Sequence, residues 1–409
     1  MSSIKEISNC RACGSSKLTV VLELGSQSLS GVFPIIGEPD PIEGPLTMVF
    51  CEQCTLVQLK HSFPSSLMYG DNYGYRSGLN GSMVNHLTKK ANALVERYCI
   101  NSDAVILDVG SNDGTLLNSL SHKELDLFGM DPTSGKFREY YNKDVTVITE
   151  FFSAAQFLAI SSPADLIFSI AMFYDLDSPV DFAKQIELSL TENGIWHFEQ
   201  SYILSMIDTT SYDTICHEHV EYYSFSSIEY ILQMAGLKVI DIELNDINGG
   251  SIAITAAKVN SNHSASRMVD WLREYESKKY ADPLDSLDKF KKSVILHKEN
   301  LSNLINTLHS DGKIIWGLGA STKGNVLLQY CGINGDMIES IVDVNPYKYG
   351  RWTPTTHIPI VSEENFNAGN ADYALVLPWH FKSTLVPRSQ KYLADGGKLI
   401  FPLPDITFV

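Results

Sequence analysis

Two segments of the chain each join an apolar strand pattern to a glycine-containing turn and then to a helical repeat. They are AVILDVGSNDGTLL (104–117) and KIIWGLGASTKGN (313–325). Such a succession is typical of a parallel α/β sheet, in which ligands lie beyond the carboxyl ends of the strands. Because 409 residues are enough for two or three hydrophobic cores, we expect an α/β protein with two Rossmann-like domains.

Charge and hydropathy limit the partners of this chain. The formal net charge is −17 at pH 7, and Lys and Arg form no run. Nucleic-acid binding needs a clustered basic surface, so we expect no nucleic-acid partner. The first residues, MSSIKEISNCRACG, contain no apolar signal segment, and no stretch approaches the ~18 apolar residues of a membrane span. We therefore expect a cytoplasmic, soluble protein that does not bind membranes and is a monomer.

Four of the seven cysteines form two C-x-x-C pairs near the N-terminus, and they are Cys10, Cys13, Cys51 and Cys54. Four thiolates complete the closed tetrahedron of a structural zinc site, and a long loop between the pairs costs little because loop-closure entropy grows only logarithmically with length. Disulfide bonds are the alternative, but a cytoplasmic location does not favour them. We expect a zinc-binding module over residues 1–70, with no open coordination position for catalysis.

The first glycine turn is a candidate nucleoside site. Gly110, Asp113 and Gly114 allow the backbone to approach a ligand at a helix N-terminus. Asp131 follows the next strand, about 20 residues downstream, where an acidic group can bind a ribose diol. An acid inside the turn suits a ligand with a cationic amino group better than a pyrophosphate. A glycine turn of a parallel sheet without any ligand is the alternative.

Polar and aromatic residues also end the next two strand patterns, 164–176 and 194–204. The strand-end candidates are Phe173, Tyr174, Glu199 and Ser201. Because strand ends of an open sheet meet in one crevice, we expect them to converge with the His-Glu-His cluster at 217–219. That cluster lacks the four-residue spacing that places two histidines on one helix face, as in HExxH zinc sites.

The second glycine turn is a candidate phosphate site. Its backbone amides and the side chains of Ser321, Lys323 and Asn325 all suit phosphate oxygens. The turn lacks a strict G-x-G-x-x-G pattern, and no acidic residue is expected at the position of a ribose. The alternative is an ordinary strand-to-helix turn with a solvated Lys323.

Five features together resemble the sugar C-methyltransferase family, over nearly the whole chain and in the same order. They are the four N-terminal cysteines, DVGSNDGT, CHEHVEYYS (216–224), NDINGGS (245–251) and GLGASTKGN. The resemblance implies a zinc module, a class I Rossmann-like methyltransferase domain over 71–260, and a C-terminal Rossmann-like sugar-nucleotide domain over 261–409. It implies transfer of a methyl group from S-adenosylmethionine to C3 of a nucleotide-linked 4-keto-6-deoxysugar.

The resemblance also implies roles for individual residues. His219 is similar to the family's general base, which removes the C3 proton so that an enolate attacks the methyl sulfonium. Glu218 is similar to the adjacent acid, which either orients the imidazole or binds a sugar hydroxyl. Tyr75 is similar to a substrate-contacting tyrosine. Cys216 stands where members of the family can have a tyrosine, so that phenol is absent.

The segment 341–360 resembles a second C-terminal signature of the family. The residues that it implies at the border of the sugar-nucleotide pocket are Asp343, Asn345, Tyr347, Lys348 and Arg351, and LPWHF adds Trp379 and His380. A solvated loop is the alternative for these residues.

Two other functions stay open. One is a non-catalytic protein that binds S-adenosylmethionine without turnover, which the cysteine at position 216 allows. The other is a nucleotide-dependent oxidoreductase whose cofactor binds the second glycine turn. Sequence alone does not decide the nucleotide base, the C3 substituent or the stereochemistry.

Overall fold

A computed structural model of the chain describes residues 4–68, 75–121, 123–368 and 371–409. The described residues form three main sheets and a two-stranded ribbon, and helices cover the two larger sheets. The prediction of an α/β protein with two Rossmann-like units is confirmed.

The N-terminal module is built on a four-stranded antiparallel sheet in the order β11-β4-β3-β2. Its elements are β1 (Lys5–Glu6), β2 (Leu18–Ser28), β3 (Glu43–Cys51), β4 (Val57–Leu59), β5 (His61–Ser62) and α1 (Ser65–Met68). The fourth strand, β11, comes from residues far along the chain, which ties this module to the central domain.

The central domain is a seven-stranded sheet in the order β12-β13-β10-β9-β6-β7-β8. Its strands are β6 (Val105–Val109), β7 (Asp126–Met130), β8 (Val145–Ile148), β9 (Ala164–Ile170), β10 (Leu190–Ser201), β11 (Glu221–Tyr222), β12 (Leu237–Asn245) and β13 (Ser251–Lys258). Its helices are α2 (Gly81–Arg97), α3 (Thr115–Asn118), α4 (Ala154–Leu158), α5 (Pro179–Ser189), α6 (Ile203–Asp208) and α7 (Phe225–Met234). Strands β6 to β10 run parallel, and β13 is antiparallel to both neighbours.

The C-terminal domain is a six-stranded sheet in the order β16-β15-β14-β17-β18-β19, parallel except for β19. Its helices are α9 (Pro283–Ser310), α10 (Thr322–Cys331), α11 (Glu363–Ala368), α12 (Lys382–Arg388) and α13 (Gln390–Ala394), whereas α8 (Arg267–Lys279) packs against β12 and α7 of the central domain. Its strands are β14 (Ile315–Leu318), β15 (Ile341–Asp343), β16 (Ile360–Ser362), β17 (Tyr373–Val376), β18 (Lys398–Phe401) and β19 (Thr407–Phe408). In chain order this is the 3-2-1-4-5-6 arrangement of dinucleotide-binding folds.

Short 3-10 turns lie at several strand ends. They are Ser77–Leu79, Arg138–Tyr140, Phe173–Asp175, Tyr212–Thr214, Ile247–Gly249, Pro346–Lys348 and Trp379–Phe381. Several of these turns border the cavity described below. They lie where the backbone leaves the sheet and no longer forms its hydrogen bonds.

The N-terminal module also packs against the C-terminal domain. The Asn325 side chain on α10 donates to the Ser30 carbonyl (2.7 Å), and the Arg351 guanidinium donates to the Phe33 carbonyl (2.7 Å). The Ser28 N–H donates to the Gln329 side chain (2.8 Å). These contacts close the three units around one central space.

The domain boundaries proposed from sequence fall at two different kinds of place. The boundary at 260 lies between the end of β13 and the start of α8, whereas the boundary at 70 lies outside the described residues. Among the helices of the described part of the chain, none combines the length and apolar character that crossing a membrane requires.

Candidate active site

One large cavity of about 1450 Å³ lies where the three units meet. Its wall is built from the strand ends of both larger sheets and from the segment 218–220. The sequence-predicted residues on this wall are Tyr75, Gly110, Asp131, Tyr174, Glu199, Ser201, Glu218, His219, Ser321, Lys323 and Asp343. Residues predicted from two separate domains therefore face one shared space.

His219 is held by the turn that carries it. Its Nδ1 lies 3.0 Å from the Thr214 carbonyl oxygen, and its ring centroid lies 4.1 Å from that of Tyr174. Because a carbonyl only accepts hydrogen bonds, Nδ1 carries the proton and Nε2 keeps its lone pair. The imidazole on the cavity wall thus has a nitrogen available to accept a proton.

The surroundings of His219 keep it neutral. Burial and the positive charge of Lys323 lower the pKa of His219 to about 4, although the hydrogen bond to Thr214 opposes this shift. The imidazole is therefore unprotonated throughout the neutral pH range, as a general base has to be.

The Thr214 carbonyl, and not Glu218, is the hydrogen-bond partner of the His219 Nδ1. The Glu218 carboxyl lies against Gly31, where an added Cβ would stand 2.4 Å from its Oε1. Burial raises the pKa of Glu218, which favours a protonated carboxyl that can donate a hydrogen bond. Of the two alternatives for this residue, a contact with the substrate fits these surroundings better.

The two residues before Glu218 are structural. His217 is fully buried, its Nε2 donates to the Gly44 carbonyl (3.2 Å), and its ring packs edge-on against Phe63. Burial lowers the pKa of His217 to about 4. Cys216 is fully buried as well, so no side chain from position 216 reaches the cavity wall.

The first glycine turn presents its backbone to the cavity. Gly110 has a φ of 78°, and an added Cβ would stand 3.0 Å from Met172. Asp131 Oδ2 accepts the Asn112 N–H (2.9 Å), and its Oδ1 accepts the Thr133 N–H (2.6 Å). Oδ1 also accepts the Thr133 hydroxyl (2.6 Å), so both of its lone pairs are used. Oδ2 has a second lone pair, with which Asp131 can still accept a hydroxyl from a ligand in the cavity.

Asp113 and Gly114 belong to the same turn but do not line the cavity. Asp113 Oδ2 forms an ion pair with Arg76 (3.1 Å) and accepts the Gly78 N–H (2.9 Å). The segment 76–78 therefore binds the Asp113 carboxylate, which we expected to bind the cationic group of a ligand. Gly114, with a φ of 75°, faces the Tyr141 ring.

Glu199 is an anchored carboxylate at the end of β10. Burial alone would raise its pKa, but the hydrogen bond and charge of His86 and the charge of Lys90 lower it to about 2. Its Oε2 also accepts from the Asn245 side chain (2.8 Å). Ser201 lies near it on the cavity wall. Phe173 is instead fully buried and stacks on Tyr223, so it supports the wall from behind.

The second glycine turn faces the same cavity from the opposite side. Ser321 caps α10 by accepting the Gly324 N–H (3.0 Å). The Lys323 ammonium donates to the Asn248 carbonyl (2.6 Å). Burial lowers the pKa of Lys323, with the nearby Asp213 opposing this shift. Lys323 is therefore not a solvated lysine.

Four of the predicted C-terminal residues lie off the cavity wall. Asn325 and Arg351 bind carbonyls of the N-terminal module, and Tyr347 is 67% exposed. Trp379 is off the wall as well, because its indole donates to Asp213 (2.8 Å). His380, Asn345 and Lys348 do line the cavity, together with Asp343 and Ser321.

Sequence reasoning missed several contributors. The Thr214 carbonyl is a backbone acceptor, and no residue type reveals it. His86 and Lys90 lie on α2, far in sequence from the Glu199 carboxylate that they bind. Asp108, buried at the end of β6, has a pKa raised well above its usual range by burial and by Asp131. Of these contributors, only Asp108 could have been predicted from the sequence, because it lies two residues before Gly110.

The four N-terminal cysteines form one cluster. Cys10 and Cys54 have their Sγ atoms 3.5 Å apart, as do Cys13 and Cys51, and all four sulfurs lie within 4.8 Å of one another. No disulfide joins these four free thiols. Tetrahedral zinc with bonds of about 2.3 Å separates its sulfurs by roughly 3.8 Å. The donor set and the spacing fit a closed zinc site.

Known family models match three successive parts of the chain. A domain described as zinc-binding matches residues 10–69, a methyltransferase domain matches 83–242, and a C-methyltransferase C-terminal domain matches 246–404. The C-methyltransferase NovU of Streptomyces niveus is 28% identical over 409 residues, which cover 98% of this chain and 97% of NovU.

Solved structures with a similar fold are more distant. Magnesium protoporphyrin IX methyltransferase of Synechocystis PCC 6803, with bound S-adenosylmethionine, is 13% identical, covers 46% of this chain and 87% of its own, and has a TM-score of 0.33. A Burkholderia thailandensis 1,6-didemethyltoxoflavin-N1-methyltransferase is 12% identical, covers 42% and 78%, and has a TM-score of 0.33.

The cysteine cluster predicts about one zinc per purified chain, measured by inductively coupled plasma mass spectrometry. Cys13→Ser should lose the metal and lower the thermal midpoint, because ligand binding to the folded module stabilises it. Cys99→Ser, which changes an exposed cysteine outside the cluster, is the control and should keep the zinc. Folded wild-type protein without zinc would contradict the assignment.

Proposed function

Because the chain belongs to the S-adenosylmethionine-dependent C-methyltransferase family, we propose that it methylates C3 of a nucleotide-linked 4-keto-6-deoxysugar. The observation that carries this proposal is the position of His219 on a cavity bordered by both glycine turns. A donor on one turn and an acceptor on the other would meet at this base.

His219 is the proposed general base. Its Nε2 accepts the proton from C3, and the electron pair passes to the neighbouring C4 ketone as an enolate. The Thr214 carbonyl keeps the proton on Nδ1 and thereby fixes the reactive tautomer. Glu218 and Tyr75, also on the wall, are proposed to hold the sugar ring.

The first turn is the proposed cofactor site. Gly110 leaves room for close backbone approach, Asp131 accepts the ribose hydroxyls, and Tyr174 closes the wall beside His219. When bound there, S-adenosylmethionine supplies an electrophilic methyl group. The enolate carbon would receive this methyl group, and S-adenosylhomocysteine would be the leaving group.

The second turn is the proposed diphosphate site. The N-terminus of α10 carries unpaired backbone N–H groups and a partial positive charge, both of which favour phosphate oxygens. Lys323 and Ser321 add an ammonium and a hydroxyl at this end of the helix. Lys323 also influences the pKa of His219, so the diphosphate would lie next to the reacting sugar.

Replacing the cofactor-site acid should weaken cofactor binding. We expect Asp131→Ala to lower the affinity for S-adenosylhomocysteine by about 10- to 100-fold, since hydrogen bonds to a charged group are worth about 1.5–3 kcal/mol. Isothermal titration calorimetry measures this, with the exposed Asp144→Ala as the matched control. Unchanged affinity in a folded Asp131→Ala variant would place the ribose elsewhere.

Removing the Lys323 charge should have two effects. Lys323→Met should raise the sugar-nucleotide KM about tenfold or more, with S-adenosylhomocysteine affinity retained. It should also move the acid limb of the kcat/KM profile upward from about pH 4, because the cation that lowers the pKa of His219 is gone. Lys313→Met, an exposed lysine, is the control. An unchanged KM together with an unchanged profile would remove Lys323 from the site.

Loss of the base should abolish turnover selectively. His219→Asn keeps a similar side-chain volume but cannot accept the C3 proton, so kcat should fall about 10²- to 10⁴-fold. Binding of both substrates, measured by calorimetry, should be nearly unchanged. If His219→Asn turns over as fast as the wild-type protein, a different residue is the base. If the wild-type protein binds only the cofactor and is inactive, the non-catalytic alternative is favoured.

A further inference from the structure

Asp343 lies on the wall of the cavity at the end of β15, and its backbone hydrogen bonds correspond to those of Asp131, which follows β7. Both residues are 7% exposed. Asp343 Oδ2 accepts the Ala320 N–H of the second glycine turn (2.8 Å), just as Asp131 Oδ2 accepts the Asn112 N–H of the first. Each Oδ1 accepts the N–H two residues downstream, from Asn345 (2.7 Å) or Thr133 (2.6 Å).

The turns that meet these acids also correspond. The Gly110 N–H donates to the Met130 carbonyl (2.9 Å), and the Gly319 N–H donates to the Val342 carbonyl (2.7 Å). Both glycines have positive φ, 78° and 83°. In both turns, the carbonyl that accepts the glycine N–H belongs to the residue directly before the acid.

The packing behind each turn is equivalent too. An added Cβ at Gly110 would stand 3.0 Å from Met172, and one at Gly319 would stand 2.6 Å from Pro378. Met172 follows β9 and Pro378 follows β17, which are the fourth strands of the two parallel arrangements. The expectation from sequence that no acid stands at a ribose position by the second turn did not take into account that Asp343 corresponds to Asp131.

The order of three groups along the cavity also suits a sugar nucleotide. It lies at the end of β15, next to β14, whereas Lys323 is on the helix that follows β14 and acts electrostatically on His219. A sugar nucleotide joins its sugar, its diphosphate and its nucleoside in that order. His219, Lys323 and Asp343 would contact these three parts in the same order. The Lys348 ammonium lies 3.4 Å from Asp343 Oδ2 and provides a cation near the proposed diphosphate site.

We propose that Asp343 accepts the ribose hydroxyls of the nucleoside half of the sugar donor, so that the chain holds two nucleosides in two equivalent sites. This inference rests on the proposed function, because it takes the second ligand to be a sugar nucleotide. A dinucleotide such as NAD⁺ presents the same ribose chemistry, so the test has to separate the two sources.

The test is calorimetry on the full chain, saturated with S-adenosylhomocysteine so that the first site is occupied. Uridine, guanosine, cytidine and thymidine diphosphates and NAD⁺ are titrated, and the diphosphate that binds most tightly is compared with its 3′-deoxy analogue. We expect the wild-type protein to lose about tenfold or more in affinity without the 3′-hydroxyl. This arm needs no change in the protein.

Asp343→Ala should bind the parent diphosphate about tenfold or more weakly and lose nothing further with the 3′-deoxy analogue. The exposed Asp395→Ala is the matched control, and S-adenosylhomocysteine affinity reports an intact first site. A diphosphate that binds equally well without its 3′-hydroxyl would overturn the role of Asp343 and leave the proposed function standing. Binding of NAD⁺ alone, or of no nucleotide, would overturn both.

Discussion

The short pairing between β11 and β4 fixes the position of the candidate base. Glu221 and Tyr222 pair with Gln58 and Val57, and the Leu59 N–H donates to the Val220 carbonyl (2.8 Å). The Gln58 side chain donates to Cys10 Sγ (3.1 Å), so the same strand reaches the cysteine cluster. The position of His219 thus depends on the N-terminal module, so structural zinc in that module would also affect the candidate base.

Two Rossmann-like sheets face each other across this fixed segment. Helix N-termini and strand carboxyl ends provide N–H groups and carboxylates at the same edge of each sheet, and each edge therefore suits a nucleotide. The active-site segment lies between them, where the reacting ends of two nucleotide-type ligands would meet. In the proposed mechanism this arrangement would bring the reactants together, and the proton transfer would require one neutral imidazole held in one tautomer.

The sequence predicted what local patterns encode. The cysteine spacing predicted the metal-binding cluster, and the two glycine turns predicted the carboxyl edges of two parallel sheets. The family and fold expectations are confirmed. Contacts between distant segments were not predictable. Asp113 meets Arg76, and Asn325 meets the Ser30 carbonyl, because other parts of the chain pass close to these residues. Residue type indicates that a side chain can bind, whereas tertiary packing decides what it meets.

The central claim is that His219 removes a proton from C3 before any methyl transfer. Incubating the sugar nucleotide with wild-type protein in deuterated water, without S-adenosylmethionine, isolates that step for detection by NMR. The account predicts exchange of the C3 proton by the wild-type protein and its loss in His219→Asn. Equally fast exchange by the two proteins would contradict it.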